Sequence, residues 1–165
     1  MKGGKLTAAF YSRKSIIMNI LHNQSLSYQH LISYKCNIPS DKIIRLIDFM
    51  CTNLYVLNNT IAGAPLIIKN ESDLNNPFEI LLPILENRTD VQNQFEYIHN
   101  FSISNALSVR FIGNTTDIDK EKQKLSRYLE ENSYKADSPF YYSVVEIDKE
   151  NFENNIIDIY VKADL

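Results

Sequence analysis

The sequence has no tryptophan, and it has only two cysteines and three histidines among its 165 residues. Cys36 and Cys51 form no C-x-x-C motif, and no histidine stands at metal-ligand spacing from them, which argues against a zinc site. The histidines are scattered along the chain. The sequence therefore predicts neither a metal site nor a cofactor, and it contains no recognisable catalytic motif.

Clustered positive charge and long apolar runs are also missing. Apart from a short basic N-terminus, lysine and arginine are dispersed, and the net charge is −3. Because phosphate neutralisation needs clustered Lys and Arg, we expect no direct nucleic-acid binding by this chain. The apolar run at residues 16–21 is interrupted by Asn19 and is too short for a membrane span or a signal-peptide core. We expect a cytoplasmic protein without membrane association.

The C-terminal third has the clearest pattern of secondary structure. Residues 106–113 are apolar enough for a buried strand, and Thr116 with Asp119 resembles a capping box at the start of a helix. Two segments rich in aromatic and β-branched residues follow at 140–145 and 156–161. Since the connection between them is short, these two strands are expected to pair in antiparallel fashion.

The same order recurs in weaker form near the N-terminus. A strand is predicted at 27–37, a helix from Ser40 onward, and two paired strands at 65–68 and 78–84. Two copies of one unit predict an α+β fold, in which duplicated strand-helix-strand-strand units form an antiparallel sheet with a pseudo-twofold axis and a ligand cleft between the units.

These patterns divide the chain into a leader and a single domain. The domain covers residues 27–165, with unit one at 27–84, a crossover at 85–105 and unit two at 106–165. Residues 1–26 are too short for a DNA-binding module, so we expect a stand-alone protein. The leader fits either an amphipathic helix that docks on the domain or a solvated segment with some helical bias.

Several motifs occur in the order found in a known family. In unit two they are Gly113, Leu125 with Tyr128, Pro139 and Ile157-Asp158-Ile159-Tyr160-Val161, and in unit one they are Gly63-x-Pro65 and Leu82-Pro83-Ile84. This order resembles the GyrI-like small-molecule-binding domain, which is also the effector-binding domain of bacterial multidrug-sensing transcription regulators. The resemblance implies a bacterial protein that binds small amphipathic molecules and acts in transcription regulation.

One departure from the family affects the expected ligand. The strand glutamate that the family often places in its pocket, where it meets cationic ligands or takes part in hydrolysis, falls at Tyr142 in this sequence. The cleft therefore lacks the carboxylate that cation recognition or glutamate-dependent catalysis would need, unless Glu79, Glu146 or Asp158 reaches it instead.

Ten tyrosines give this chain an unusual supply of aromatic side chains for a cleft wall. Aromatic faces suit flat, partly apolar ligands. The alternative is that strand tyrosines pack in the core or across strands. The predicted ligand-binding residues are Tyr142, Phe140, Phe111, Tyr160, Tyr34, Tyr55 and Glu79.

Three functions are compatible with these observations. The leading prediction is a protein that binds a small amphipathic, partly aromatic molecule in a Tyr- and Phe-lined cleft, without chemistry. A hydrolase of the same fold, acting on electrophilic small molecules, would need a carboxylate and a tyrosine at one substrate atom. A protein-interaction modulator would have a filled cleft and a protein partner, or a second copy of the chain, on its surface.

Overall fold

The computed structural model describes residues 20–54, 60–86 and 94–164. In these ranges the strands are β1 (Ile20–Cys36), β2 (Leu66–Lys69), β3 (Phe78–Pro83), β4 (Glu96–Gly113), β5 (Lys135–Ala136), β6 (Tyr141–Glu146) and β7 (Asn155–Asp164), and the helices are α1 (Ile43–Leu54) and α2 (Ile118–Glu131). Short 3-10 turns, Ser40–Lys42 and Thr115–Asp117, precede the two helices. The order repeats strand, helix, strand, strand, with β5 as an addition in unit two, and this confirms the predicted α+β fold class.

The strands lie in the order β4-β1-β3-β2-β6-β7-β5, and all their pairings are antiparallel. Strand β4 also pairs with β7: Val109 lies opposite Ile20 on one edge and opposite Ile159 on the other. The six strands β4, β1, β3, β2, β6 and β7 therefore form a closed ring in which each strand pairs with two neighbours. The two pairings between the units join equivalent strands, β1 with β4 and β2 with β6, as a pseudo-twofold axis requires.

The two helices cover one face of the sheet. The buried residues of the two helices form one core with strand residues such as Ile67 and Ile159. These helix residues are Ile43, Ile44, Ile47 and Met50 of α1 and Ile118, Leu125 and Leu129 of α2. The opposite face has a smaller buried cluster of Leu31, Leu66 and Leu81, which only strand residues surround. We refer to these as the helix-covered face and the helix-free face.

Two predicted boundaries differ from the structure. Strand β1 begins at Ile20, so residues 20–26 belong to the sheet and not to a leader, and β4 begins at Glu96, within the predicted crossover. The reason is that these extensions are mostly polar and lack a strong apolar alternation, so their strand structure depends on the pairing of β1 with β4, as in Gln24 with Ala106 and His30 with His99. Asn23, Asn100 and Asn105, with φ of 55°, 59° and 54°, also interrupt the alternation by which strands are recognised.

The start of α2 also differs from the prediction. Asn114, and not Thr116 with Asp119, provides a side-chain cap, and it caps the 3-10 turn that precedes α2: its side-chain oxygen accepts a hydrogen bond from the backbone N–H of Thr116 at 3.2 Å. A short Asn side chain reaches the backbone two residues ahead without any rearrangement of the turn.

Some expectations fall outside the described residues. Residues 1–19 contain most of the predicted N-terminal helix, and residues 55–59 contain Tyr55. Within the described part of the chain, neither helix has the length and apolar character needed to cross a membrane.

Candidate functional site

A small cavity lies on the helix-covered face at the boundary where β2 of unit one pairs with β6 of unit two, which we call the seam. It is lined by Ser40, Ile43, Ile67, Lys69, Phe78, Thr115, Thr116, Ile118, Asp119 and Tyr142. Its volume is about 40 Å³. Since each ordered water needs about 10–15 Å³ measured in this way, the cavity has room for a small polar group but not for a whole planar ligand.

The pseudo-twofold axis brings the starts of the two helices together at this cavity. Ser40 and Thr115 lie 75 residues apart, close to the period of the duplication, and the Thr115 hydroxyl donates a hydrogen bond of 2.7 Å to the Ser40 carbonyl. Thr115 is buried. This bond joins unit one to unit two at the wall of the cavity.

The floor of the cavity is the seam itself, where Ile67 lies opposite Tyr142. Tyr142 is 2% exposed, and its hydroxyl is a buried polar atom without a hydrogen-bond partner among the described residues. Burial raises the pKa of the Tyr142 phenol, and the negative charges of Asp119 and Glu71 raise it further. The hydroxyl is therefore protonated at neutral pH and remains a hydrogen-bond donor.

Two ion pairs cross the seam near the cavity mouth. Lys69 Nζ lies 3.2 Å from Asp119 Oδ2, and Lys122 Nζ lies 3.2 Å from Glu71 Oε1. Lys122 Nζ is also 5.3 Å from the centroid of the Phe140 ring. Such partly exposed pairs contribute little stability, but they leave the mouth with balanced charge.

A related set of contacts joins unit two to α1. Lys149, in the loop between β6 and β7, lies 3.3 Å from Asp48 of α1, and Arg45 of α1 lies 4.9 Å from the ring centroid of Phe152 in the same loop. The loop between β2 and β3 contacts α2 through Glu71 in a similar way. Each unit's hairpin loop thus holds the other unit's helix.

Of the predicted ligand-binding residues, Tyr142 lines this cavity. Tyr34 shares its face but lies three strands away, at a distance of about 14 Å across the sheet, with its ring against Phe95. Phe111 is buried in the core opposite Ile157. Phe140 lies outside the cavity lining, beneath Lys122. Ligand binding by these residues stays a prediction.

Glu79 and Tyr160 lie on the other, helix-free face. The register places Glu79, Ile68, Tyr141 and Tyr160 in one row across four strands. The Glu79 carboxylate accepts a hydrogen bond of 2.5 Å from the Ser33 hydroxyl. Glu79 and Tyr142 therefore do not meet at one ligand, because the sheet separates them.

The tyrosines of that row are neutral at physiological pH. Burial raises the pKa of Tyr141, and the charge of Glu79 adds to the shift. Burial likewise raises the pKa of Tyr160, with a further contribution from Asp158. The Tyr141 ring packs edge-on against Phe101 at 5.4 Å between centroids. This row is an aromatic surface with one carboxylate.

The polar wall of the cavity was not predicted from the sequence. The sequence marks Ser40 and Thr116 only as helix starts, and it indicates no role for Lys69 or Thr115. The available signal was the spacing of 75 residues between Ser40 and Thr115, because a pseudo-twofold axis brings equivalent helix starts together at the seam. Among the described residues, no group of three or more His, Cys, Asp or Glu side chains could hold a metal ion.

Comparison with protein-family models and with curated protein sequences gives no match. Among solved structures, the EcmrR chain in a cryo-EM EcmrR–DNA complex has a TM-score of 0.68 at 13% identity, over 96% of this chain and 62% of the EcmrR chain. The EcmrR C-terminal domain has a TM-score of 0.62 at 12% identity, over 87% and 98% of the two chains. A protein from Listeria innocua described as a hydrolase has a TM-score of 0.54 at 6% identity, over 94% and 98%.

The chain thus spans 62% of the EcmrR chain solved with DNA, and nearly the whole of the EcmrR C-terminal domain is matched. At these identities the likeness concerns the fold. The chain has the fold of the EcmrR C-terminal domain, and this confirms, for the fold, the predicted resemblance to the GyrI-like effector-binding domain.

Proposed function

We propose that this chain is a cytoplasmic small-molecule-binding domain of the effector-binding type, and that it binds its ligand at the seam cavity. The observation that carries the proposal is Tyr142, which lines a cavity between the units and whose buried hydroxyl has no hydrogen-bond partner among the described residues. A buried polar group without a partner costs about 1–3 kcal/mol. A ligand group that enters the cavity removes this cost.

The proposed ligand is amphipathic, with a small polar group and a flat apolar body. The polar group fits the cavity volume of about 40 Å³. The body then lies at the mouth, against Phe78, which is the partly exposed aromatic side chain of the lining. In a transcription-regulating role, occupancy would be sensed through the helix starts that meet at Ser40 and Thr115.

Binding without chemistry fits the lining better than hydrolysis. A hydrolase needs a carboxylate and a tyrosine at one substrate atom. Asp119 lines the cavity, but both of its oxygens face the Lys69 ammonium, at 3.2 and 3.3 Å. Glu79 lies on the opposite face of the sheet. The description of the Listeria innocua protein as a hydrolase therefore gives no reason to assign catalysis here.

The test is thermal shift and tyrosine fluorescence of the purified chain against a panel of planar cationic, neutral and anionic compounds. At a concentration 100 times its Kd, a ligand stabilises the folded state by about 2.7 kcal/mol. For a chain of this size that raises the Tm by roughly 5–10 °C. We expect saturable stabilisation by at least one compound class, and we expect Tyr142→Ala to change the Kd.

Tyr141→Ala is the matched control, because Tyr141 neighbours Tyr142 on β6 but lies on the helix-free face. Its Kd should equal that of the wild type. A change in Kd with Tyr141→Ala alone would move the site to the row that contains Glu79 and Tyr160. A flat response of the wild type across the panel would contradict the proposal and favour a filled cleft with a protein partner.

A further inference from the structure

The polar groups around the cavity bear on the chemical class of its ligand. Building on the function proposed above, we propose that the cavity binds an uncharged hydrogen-bond acceptor, such as a carboxamide or ketone carbonyl, in preference to a cation or an anion. The proposal rests on three observations: a donor without an acceptor, balanced charges and the small volume.

The donor is the Tyr142 hydroxyl. It is buried and has no partner among the described residues, and its raised pKa keeps the proton on the oxygen. The neighbouring Thr115 hydroxyl already donates to the Ser40 carbonyl. The group that completes the hydrogen bonding of Tyr142 is therefore an acceptor on the ligand.

The charges near the cavity are paired with each other. The charged side chains of the lining, Lys69 and Asp119, form an ion pair with Nζ 3.2 Å from Oδ2. Beyond them, Lys122 pairs with Glu71. A charged ligand group would lose its hydration without meeting an uncompensated opposite charge, and such desolvation is costly. Where the resembling family places a carboxylate that meets cations, this chain has the neutral donor Tyr142.

The volume adds a limit on size. About 40 Å³ accommodates a group of a few non-hydrogen atoms. A carboxamide or a ketone carbonyl is that small, and it can be carried on a flat ring that remains at the mouth beside Phe78. The ligand class is thus a planar, neutral molecule with one protruding acceptor.

The experiment uses benzamide, benzoate and benzamidinium, which share one ring and nearly one shape but are neutral, anionic and cationic. Their dissociation constants are measured by ligand-observed NMR with the full-length chain. We expect benzamide to bind at least about tenfold tighter than either charged compound, a difference of about 1.4 kcal/mol. Benzamidinium has no acceptor for the Tyr142 hydroxyl, and benzoate loses the hydration of its charge without meeting an unpaired cation.

Tyr142→Phe should weaken benzamide binding about tenfold, by the loss of one hydrogen bond. It should change the affinity of benzamidinium, which has no acceptor group, by less than about twofold. Tyr141→Phe is the matched control and should leave all three affinities unchanged. Far-UV circular dichroism verifies that both variants are folded. The substitution is conservative and retains the ring that forms the cavity floor.

The outcomes separate this inference from the proposed function. Tighter binding of benzamidinium or benzoate at the Tyr142 site would overturn the ligand class but leave the seam as a binding site. Full benzamide affinity in Tyr142→Phe would overturn the role of the hydroxyl. If none of the three binds, this inference fails, and the response to the broader compound panel decides whether the proposed function fails with it.

Discussion

At the scale of single residues, Asn155 shows how one buried amide holds two loops. Its side chain is fully buried and donates hydrogen bonds to the Gly113 carbonyl at 3.2 Å and to the Phe152 carbonyl at 2.8 Å. Its oxygen accepts a hydrogen bond from the backbone N–H of Asp148 at 3.0 Å. The loop that carries Phe152 to α1 is thereby fixed to the end of β4.

We predict that Asn155→Ala lowers the free energy of unfolding by about 2–3 kcal/mol, because it removes three hydrogen bonds from partly buried backbone groups. Urea denaturation followed by circular dichroism measures the change. Asn154→Ala, at an exposed neighbouring position, should cost less than about 0.5 kcal/mol. Equal losses in the two variants would show that the side-chain hydrogen bonds of Asn155 are not responsible.

At this scale, part of the candidate site could be predicted from the sequence. Alternation along β6 correctly placed Tyr142 and Tyr141 on opposite faces, since the pleat has a period of two. It could not place Tyr160 on the face away from Tyr142, because that depends on the register with which β7 pairs with β6. The unsatisfied hydroxyl of Tyr142 depends on packing among residues distant in sequence, and no local pattern reports it.

At the scale of elements, the long strands β1 and β4 extend well beyond their apolar segments. Asn105 in β4 is exposed and has a φ of 54°. Asparagine and glycine tolerate this left-handed conformation, whereas a β-branched side chain clashes with the backbone. The extensions are therefore held by backbone pairing and by a few conformationally permissive residues.

Asn105→Val is predicted to destabilise the fold by about 1–2 kcal/mol, the cost of the left-handed conformation for a β-branched residue. Asn105→Gly should remain within about 0.5 kcal/mol of the wild type. Chemical denaturation provides the values. Ser104→Val serves as the control for the added valine, since Ser104 is exposed on the same strand without a positive φ. If Ser104→Val costs as much as Asn105→Val, the backbone explanation is wrong.

The difference between buried and exposed segments explains which elements could be predicted from the sequence. The helices α1 and α2 and the short strands β2, β3 and β6 bury one face or both, and burial leaves an apolar period in the sequence. Residues 20–26 and 96–105 bury little, so their strand structure has no such signature. Their assignment depends on the partner strand and not on their own composition.

At the scale of the whole molecule, the two units share one sheet and exchange contacts between loops and helices. The helix α1 packs on the sheet through Ile47, which is fully buried. Unit two contacts α1 through Lys149 and Phe152. Neither unit therefore has a complete core of its own, and the duplication seen in the sequence does not produce two independent folding units.

Ile47→Ala is predicted to lower the free energy of unfolding by about 2–5 kcal/mol through the loss of buried methyl groups and the cavity left behind. Native-state hydrogen exchange should show the same loss of protection for the slowest amides of β7 as for those of α1, because the units unfold together. Leu74→Ala, at a side chain that is 84% exposed, is the control. Loss of protection confined to unit one would contradict this cooperativity.

The strand order also bears on synthesis at the ribosome. Strands β1 and β2 each have an edge whose partner, β4 or β6, belongs to unit two. At roughly 5–20 residues per second, unit one emerges several seconds before β6 is complete, with apolar strand edges open to other chains. Nascent chains of this protein are thus open to aggregation until β6 and β7 leave the exit tunnel and pair with unit one and with each other.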